Sequence, residues 1–486
     1  MSVVLVLDCG ATNLRAIAID ATGQIIASHF IKNATQTGES HPDHHIWNFD
    51  TIWQSLVECA KNVVTQLAGR EVLAVTVTTF GVDGAPFDVN GKQIYPIISW
   101  KCPRTLEAMI KVEHELNRIE LYRENGIGDY SFNTIYKLRW LKEHEPEMFA
   151  NMDKFVFISS MITHRLTGEW TTDRTMAGTS MMTSIKDGNW HPHVLKYLGL
   201  TNAHFPPMID AGDVVGKVLP EIQSLFGLTS NVPVISAGHD TQFALVGSGA
   251  KENQAFLSSG TWEILMARSN QPLLDGEALK QGVTVELDSV RGLYNPAIQW
   301  LSSAVVEWVA KQFFAAEWGE PTLYHTMIRE AEDAGENAGG VVFEPHFSPD
   351  ANGQAQGALY GLTIHTTRGQ IFRAALKGLS KKLSQRFDYL NSLCSLSDEP
   401  IVVVGGGTKN TLWNQLRADA LGRPLHIIEQ AEATVIGAAM FAFYGVKHFG
   451  SLYDAQQAMK PTLRLVEPIS ASSKHKKNEI KEPNHA

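Results

Sequence analysis

Short apolar runs separated by turn residues open the chain. VVLVLD, LRAIAID and QIIASHFI lie within residues 3–31 and are rich in β-branched side chains, with Thr22-Gly23 marking one turn between them. They predict three successive strands. Apolar side chains then recur at helical spacing between Phe49 and Leu67, and Gly69 stands where such a helix would end. VLAVTVTTF follows as a continuous apolar run, which is typical of a central strand covered on both faces.

A similar pattern returns after residue 250. QAFLSSGTWEILMA again gives strand, small polar turn and strand, and PIVVVGGGTKNTLWNQLRADALG gives strand, glycine turn and helix. The two halves are alike in pattern but not residue by residue. We therefore predict an α/β protein of two halves, each opening with a hairpin whose turn is rich in Gly, Ser and Thr. Two such turns facing one another would suit the binding of one polyphosphate from both sides.

The length of the chain supports two domains, because 486 residues exceed one ordinary hydrophobic core. Pro233 introduces a strand that ends at His239-Asp240, and this places the boundary near residues 240–250. We predict an N-terminal domain over residues 1–245 and a C-terminal domain over residues 246–450. Residues 470–486 are polar and lack periodicity, so we expect a disordered tail there.

Composition narrows the class of protein. The chain has 41 basic and 51 acidic residues, a net charge of −10, which argues against general binding to nucleic acid or anionic membranes. No apolar run approaches the roughly 20 residues of a membrane span, and the opening MSVVLVLD does not resemble a secretion signal. The four cysteines lie far apart, which favours a reducing compartment over a disulfide framework or a zinc site. We expect a soluble cytoplasmic protein.

The loop DCGATN between the first two predicted strands offers an acid, small side chains and free N–H groups, and Arg15 follows it. This set suits a metal–phosphate complex, and it also suits an ordinary turn. Asp8 carries the same ambiguity. It is either a turn acid or an organiser of the water shell around Mg²⁺, an ion that keeps several waters and few carboxylates.

The stretch GGGTKN at residues 405–410 follows a predicted strand and precedes a helix. It fails the dinucleotide fingerprint G-x-G-x-x-G, because Asn410 occupies the sixth position. Glycines would still let a flat base or a phosphate approach the backbone closely. Taken alone, a nucleotide site and a plain strand-to-helix turn explain this stretch equally well. The chain contains no G-x-x-x-x-G-K-[ST] stretch, which argues against a P-loop mechanism.

Two further acids stand at predicted strand ends. Asp240 in SAGHDTQFAL begins an apolar helical run, so it is either a helix N-cap or a general base that accepts a proton from a hydroxyl. Asp83 in TTFGVDGA is placed to accept hydrogen bonds from a polyol or sugar. The nearby aromatic side chains of Trp100 and Phe132 are core residues by default, and beside these acids they could wall a sugar pocket.

Three longer stretches together resemble the FGGY carbohydrate kinases over roughly residues 3–446. FNTIYKLRWL at 132–141 fits the first family signature, and GALYGLTIHTTRGQIFRAALK at 357–377 fits the second except at its end, where Lys377 replaces an acidic or amide residue. GGGTKNTLWNQLRADALGRPLHIIEQAEATVIGAAM is the third. The resemblance implies two actin-like (ribonuclease H-like) ATPase domains facing a central cleft. It also implies ATP-dependent phosphorylation of a ketose at its primary 1-hydroxyl, with ATP, Mg²⁺ and the ketose bound by a monomer or homodimer.

The resemblance assigns roles to the acids and to the phosphate-binding and adenosine-binding turns. It places Asp240 as the catalytic base at the substrate and Asp83 as a sugar-binding acid, whereas Trp100 and Phe132 are candidates for the sugar pocket only by their position near these acids. Asp8 would hold Mg²⁺ through water. The remaining positions would bind ATP, and they are Thr12, Asn13, Arg15, Gly260, Thr261, Gly405, Gly406, Gly407 and Asn410. Two other classes stay open. A non-kinase actin-like ATPase would need neither the base nor the sugar acid, and a Rossmann-type oxidoreductase is disfavoured by the failed glycine fingerprint.

Overall fold

A computed structural model describes residues 2–38, 41–271, 274–347, 355–429 and 432–469. The predicted disordered tail lies outside these ranges. The strands, in chain order, are β1 Val3–Cys9, β2 Asn13–Asp20, β3 Ile25–Lys32, β4 Gln36–Thr37, β5 His45–Trp47, β6 Val72–Thr79, β7 Gly84–Phe87, β8 Ile97–Ile98, β9 Lys154–Phe157, β10 Thr172–Asp173, β11 Met208–Ile209, β12 Val214–Lys217, β13 Pro233–His239, β14 Phe256–Ser259, β15 Trp262–Met266, β16 Val283–Leu287, β17 Tyr294–Leu301, β18 Val342–Glu344, β19 Ala358–Tyr360, β20 Ile401–Val404, β21 Leu425–Ile428 and β22 Leu463–Val466.

The α-helices are α1 Phe49–Gln66, α2 Leu106–Glu115, α3 Arg118–Asn125, α4 Thr134–His144, α5 Pro146–Ala150, α6 Ile158–Thr167, α7 Arg174–Gly178, α8 Pro192–Leu198, α9 Pro220–Phe226, α10 Asp240–Gly247, α11 Gly276–Lys280, α12 Ser303–Phe313, α13 Leu323–Asp333, α14 Arg368–Cys394, α15 Thr411–Leu421, α16 Ala433–Gly445 and α17 Leu452–Met459. Short 3₁₀ helices cover Pro103–Thr105, Asn202–His204, Ala315–Glu317, Ala338–Gly340 and Gly406–Lys409. Across the described ranges, no helix is both long and apolar enough to cross a membrane.

The first large sheet has the strand order β12-β13-β6-β1-β2-β3. The three opening strands form the predicted antiparallel meander, and β6 and β13 then add parallel to β1. All residues of β1 are buried, as a strand in the middle of a sheet covered on both faces requires. Because β1, β6 and β13 run in the same direction, their carboxyl ends meet at one edge of the sheet.

The second large sheet has the order β16-β17-β15-β14-β20-β21-β22 and repeats the first. The strands β14, β15 and β17 form an antiparallel meander, and β20 and β21 then add parallel to β14. The duplication predicted from the two hairpin patterns is therefore confirmed at the level of topology.

Helices cover both faces of the first sheet. Apolar side chains of α1 share one core with the odd-numbered positions of β1, such as Leu5 and Leu7. The other face, with Val4 and Val6, packs against α10 and α16. These two helices cross so closely that a Cβ at Gly437 would lie 2.0 Å from the Phe243 carbonyl oxygen, which only glycine allows. A helix from the C-terminal half of the chain, α16, thus packs on the N-terminal sheet. The domain boundary at residue 245 stays a prediction from the sequence.

Candidate active site

Three carboxylates gather at the edge where the parallel strands of the first sheet end. Asp8 is the next-to-last residue of β1, Asp83 follows β6, and Asp240 follows β13 directly. The Cys9 thiol lies among them. Burial raises its pKa well above the usual value, and the negative charges of Asp8, Asp240 and Asp83 raise it further. Ligands of open α/β sheets bind at this edge, beyond the carboxyl ends of the strands.

Arg15 links Asp8 to the far end of the chain. The antiparallel register places Arg15 opposite Asp8, and its Nε and Nη2 lie 2.7 and 2.6 Å from Asp8 Oδ2. Its Nη1 donates to both carboxylate oxygens of Glu432, at 3.0 and 2.8 Å. Burial raises the pKa of Asp8 to about 6, against the opposing effect of Arg15. In this structure Arg15, expected near phosphate, binds two carboxylates.

Thr12 and Asn13, also expected near phosphate, form the turn between β1 and β2. The Asn13 carbonyl oxygen accepts from the Gly10 N–H at 3.0 Å, and the Thr12 carbonyl oxygen accepts from the Asn33 N–H at 2.9 Å. These bonds fix the shape of the turn. The Thr12 side chain is exposed, and Asn13 Oδ1 is buried without a hydrogen-bond partner in the described structure. A buried acceptor that lacks a donor is suited to a ligand that supplies one.

Asp83 is completely buried and fully engaged with protein donors. The Lys137 ammonium forms an ion pair with Oδ1, while Trp47 Nε1 and the Trp100 backbone N–H donate to Oδ2 at 2.7 and 3.1 Å. Burial raises the pKa of Asp83, and Lys137 opposes this effect. Asp83 therefore fixes the positions of two tryptophans in addition to any contact with a sugar. Lys137 is the lysine of the stretch FNTIYKLRWL, and the sequence did not indicate that it pairs with Asp83.

The two predicted wall residues do lie together. The rings of Trp100 and Phe132 meet edge to face at 6.4 Å, and Tyr130 stacks on Phe132 at 5.1 Å. Trp100 is 36% exposed, although its backbone N–H binds the buried Asp83. The three rings thus form one aromatic cluster, which the Trp100 backbone N–H joins to Asp83.

Asp240 is the first residue of α10, and His239 is the N-cap. The N-cap interpretation of Asp240 is therefore wrong, because His239 holds that position. The Asp240 carboxylate still binds the first turn, since its Oδ1 accepts from Thr241 N and Oγ1, at 2.7 and 3.2 Å. The side chain is 32% exposed, and Oδ2 has no protein hydrogen-bond partner within the described ranges. Burial raises the pKa of Asp240, opposed by His239 and Thr241. A carboxylate with one oxygen fixed and one open is suited to accept a proton.

The second predicted phosphate loop joins β14 and β15. The Gly260 N–H donates to the Trp262 carbonyl oxygen at 3.1 Å, and the exposed Thr261 accepts from the Ser302 N–H through its carbonyl oxygen. Beneath the loop, Arg417 donates to Ser259 Oγ at 2.6 Å and forms a fully buried ion pair with Glu263. Neither Arg417 nor Glu263 was predicted from the sequence.

The glycine turn at residues 405–410 packs directly on this second loop. Gly405 has a φ of 98°, and a Cβ there would lie 2.5 Å from the Ser259 carbonyl oxygen. A Cβ at Gly407 would lie 2.1 Å from Ser259 Oγ, whereas one at Gly406 would meet open space. Asn410 caps α15 by accepting from the Trp413 N–H at 3.0 Å. Close packing thus explains two of the glycines, and Gly406 is the one open to a ligand.

The sequence of the whole chain agrees with this geometry. Residues 3–247 match the model of the FGGY family of carbohydrate kinases, N-terminal domain, and residues 255–446 match that of the C-terminal domain. The chain belongs to the FGGY family of carbohydrate kinases, a class that acts on a sugar and ATP. This confirms the resemblance, the fold class and the sugar-kinase activity predicted from the motifs, and it does not favour the two other classes.

Particular relatives refine the comparison. The chain is 50% identical to "L-fuculokinase" of Haemophilus influenzae over 475 residues, covering 96% of this chain and 100% of that protein. It is 27% identical to "Rhamnulokinase" of Bacteroides thetaiotaomicron, covering 88% and 90%. Among solved structures, xylulose kinase from Rhodospirillum rubrum superposes with a TM-score of 0.87 at 22% identity, covering 98% and 96%. The last comparison supports the fold alone.

Proposed function

We propose that this protein transfers the γ-phosphoryl group of ATP to the primary 1-hydroxyl of L-fuculose, giving L-fuculose 1-phosphate and ADP. The stretches TTFGVDGA, ISWKCPRT and FISSMITHRLTGEWTTDRTMAGTS favour L-fuculokinase within the family, with rhamnulokinase or another ketose kinase as the alternative. The observation that carries the sugar assignment is the 50% identity to an L-fuculokinase over the full length of that protein. The remote alternative, an actin-like ATPase without a sugar acceptor, leaves the open oxygen of Asp240 without a role.

The chemistry follows from the placement of the carboxylates. Phosphoryl transfer needs positioning and charge neutralisation more than covalent participation by the protein. Asp240 would orient the 1-hydroxyl through its open Oδ2 and accept the proton as the new O–P bond forms. Thr12, Asn13, Gly260 and Thr261 would position the phosphates, and Gly406 would face the adenosine. Arg15 would reach the phosphates on exchanging one of its carboxylate partners.

Asp8 fits the requirements of a Mg²⁺ site. Its carboxylate is buried at the sheet edge that also carries Asp240. Of its two oxygens, Arg15 contacts Oδ2 and not Oδ1. Mg²⁺ is commonly held by one or two carboxylates while it keeps several waters. Asp8 would hold Mg²⁺ through its water shell, and bound Mg²⁺ would supply neutralising charge at the phosphates of ATP.

We expect Asp8→Asn to raise the Mg²⁺ concentration needed for half-maximal rate by about 10–100-fold, the usual cost of losing an outer-shell partner of a metal. Ketose affinity should change much less. Titration of Mg²⁺ against rate, at saturating ATP and ketose, tests this expectation. Asp43→Asn makes the same change at an exposed carboxylate and should leave the requirement unchanged. An unshifted requirement in Asp8→Asn, with normal maximal rate, would contradict the assignment.

The substrate assignment predicts an order of preference. We expect kcat/KM to be highest for L-fuculose, lower for L-rhamnulose and lowest for glycerol. The two deoxyketoses both end in a methyl group and differ in hydroxyl stereochemistry, so polar groups must separate them. A buried polar group left unpaired can lower kcat/KM by ~10⁴ or more, whereas one methylene accounts for only about 1–3 kcal/mol. Coupled ADP-release assays give the rates, and NMR locates the phosphate. A faster reaction with L-rhamnulose, or phosphate at another oxygen, would refute the L-fuculose assignment.

A further inference from the structure

The imidazole of His239 lies between two carboxylates that come from the two halves of the chain. Its Nε2 is 3.5 Å from Asp240 Oδ1, and its Nδ1 is 3.5 Å from Glu286 Oε2. Gly81 packs against a third side of the ring, so closely that a Cβ at this position would lie 2.8 Å from Nε2. Glu286 belongs to β16, the edge strand of the second sheet. A residue of the C-terminal half thus reaches the immediate neighbour of the proposed base.

Glu286 is itself held in place. Gln242 Nε2 donates to its Oε2 at 2.5 Å, so that one oxygen faces both Gln242 and His239. The adjoining backbone is joined to the N-terminal half, because the Val285 N–H donates to the Gly126 carbonyl oxygen at 2.6 Å. The Gly128 N–H also donates to Thr284 Oγ1, at 3.2 Å. These contacts fix the backbone on which Glu286 stands.

We propose that Glu286 is a positioning residue that holds a protonated His239 against Asp240 and so keeps the base ionised and correctly aimed. This inference rests on the proposed role of Asp240 as the base. It assigns to β16 a part in the chemistry that none of the predicted site residues covers. Glu286 acts through His239, with no transfer of a proton to its own carboxylate.

The charges around the pair support this arrangement. Burial lowers the pKa of His239, but Glu286, Asp240 and Asp173 outweigh that effect and raise it. His239 in turn lowers the pKa of Asp240, while burial and, to a smaller extent, Glu286 raise it. Asp8 also faces Asp240, and the two negative charges disfavour each other. Loss of the Glu286 charge should therefore favour neutral His239, and Asp240 would lose its nearest cation.

The test is Glu286→Gln, which keeps the size and hydrogen-bonding capacity of the side chain and removes its charge. We expect kcat to fall about 10–100-fold, by analogy with the cost of losing a carboxylate that orients a metal-binding histidine. KM for the ketose should change much less. In the pH profile of kcat, the acid limb should stay close to its wild-type position, because His239 is still protonated there and Glu286 has only a minor effect on the pKa of Asp240. The basic limb should move to lower pH because His239 loses its proton earlier.

Two further variants separate positioning from folding. Glu286→Asp keeps the charge, so it should retain much of the rate and the wild-type pH limbs. If Glu286→Gln does not fold, the pH profile of Glu286→Asp still tests the positioning role. Glu320→Gln makes the same change at an exposed carboxylate and should behave as wild type. Thermal unfolding of each variant shows whether the fold is intact.

Two results would overturn the proposal. A raised ketose KM with unchanged kcat and unchanged pH limbs would mean that Glu286 binds the sugar directly. A loss of rate with unmoved pH limbs, equal in Glu286→Gln and Glu286→Asp, would mean that it serves the fold alone. All measurements use the ketose that the wild-type chain phosphorylates best. A wrong sugar assignment therefore appears in the wild type, whereas a wrong role for Glu286 appears only in the variants.

Discussion

Asp240→Asn should lower kcat by ~10²–10⁴-fold, the usual size of a general-base contribution. The amide keeps the shape of the carboxylate and can still accept from the Thr241 N–H, which lies 2.7 Å from Oδ1. It cannot take the proton of the attacking hydroxyl. ATP and ketose affinities should change little, because the group acts mainly in the transition state.

The measurement combines single-turnover rates with equilibrium binding of ATP and ketose, so that binding and chemistry are read separately. Asp275→Asn is a matched control. Asp275 also stands at the start of a helix, where its carboxylate accepts from the Ala278 N–H at 2.7 Å. That variant should keep full activity. If Asp240→Asn turned over at a near-normal rate with unchanged stability, Asp240 would only anchor the start of α10.

The acids at the strand ends were predictable because strand ends can be read from a hydrophobic pattern. Asp8, Asp83 and Asp240 each follow an apolar run, and parallel strands bring their carboxyl ends to one edge. The two hairpin patterns likewise predicted two halves that open alike, and the two large sheets share their topology. In these cases the relevant interactions are local, or they follow from the general rules of parallel sheets.

The partners of those acids were not predictable, because they arise from tertiary contacts between distant parts of the chain. Glu432 reaches Arg15 across 417 positions, and Glu286 approaches His239 from the edge of the other sheet. The same limit applies to the glycine turn. From the sequence, Gly405 and Gly407 indicated either a nucleotide site or a plain turn. The third explanation, close packing on Ser259, required the position of the second loop.

Asp83→Ala should destabilise the protein by about 3–5 kcal/mol, the cost of leaving one member of a buried ion pair uncompensated. The side chains of Asp83 and Lys137 are 0% and 2% exposed, so water cannot replace the lost partner without opening the structure. Trp47 Nε1 and the Trp100 N–H would also lose their acceptor. Urea unfolding followed by tryptophan fluorescence gives the change in the free energy of unfolding.

The double variant Asp83→Asn, Lys137→Met identifies the cause of that loss. Its amide oxygen still accepts from Trp47 and Trp100, and its methionine fills the volume of the lysine stem without a charge. Replacing a buried ion pair by groups of similar volume is often neutral, whereas breaking it is costly. We therefore expect the double variant to recover most of the stability that Asp83→Ala loses. If Asp83→Ala unfolded at the wild-type midpoint, the Lys137 ammonium would need no partner. The central role of Asp83 in fixing the two tryptophans beside the candidate sugar pocket would then be wrong.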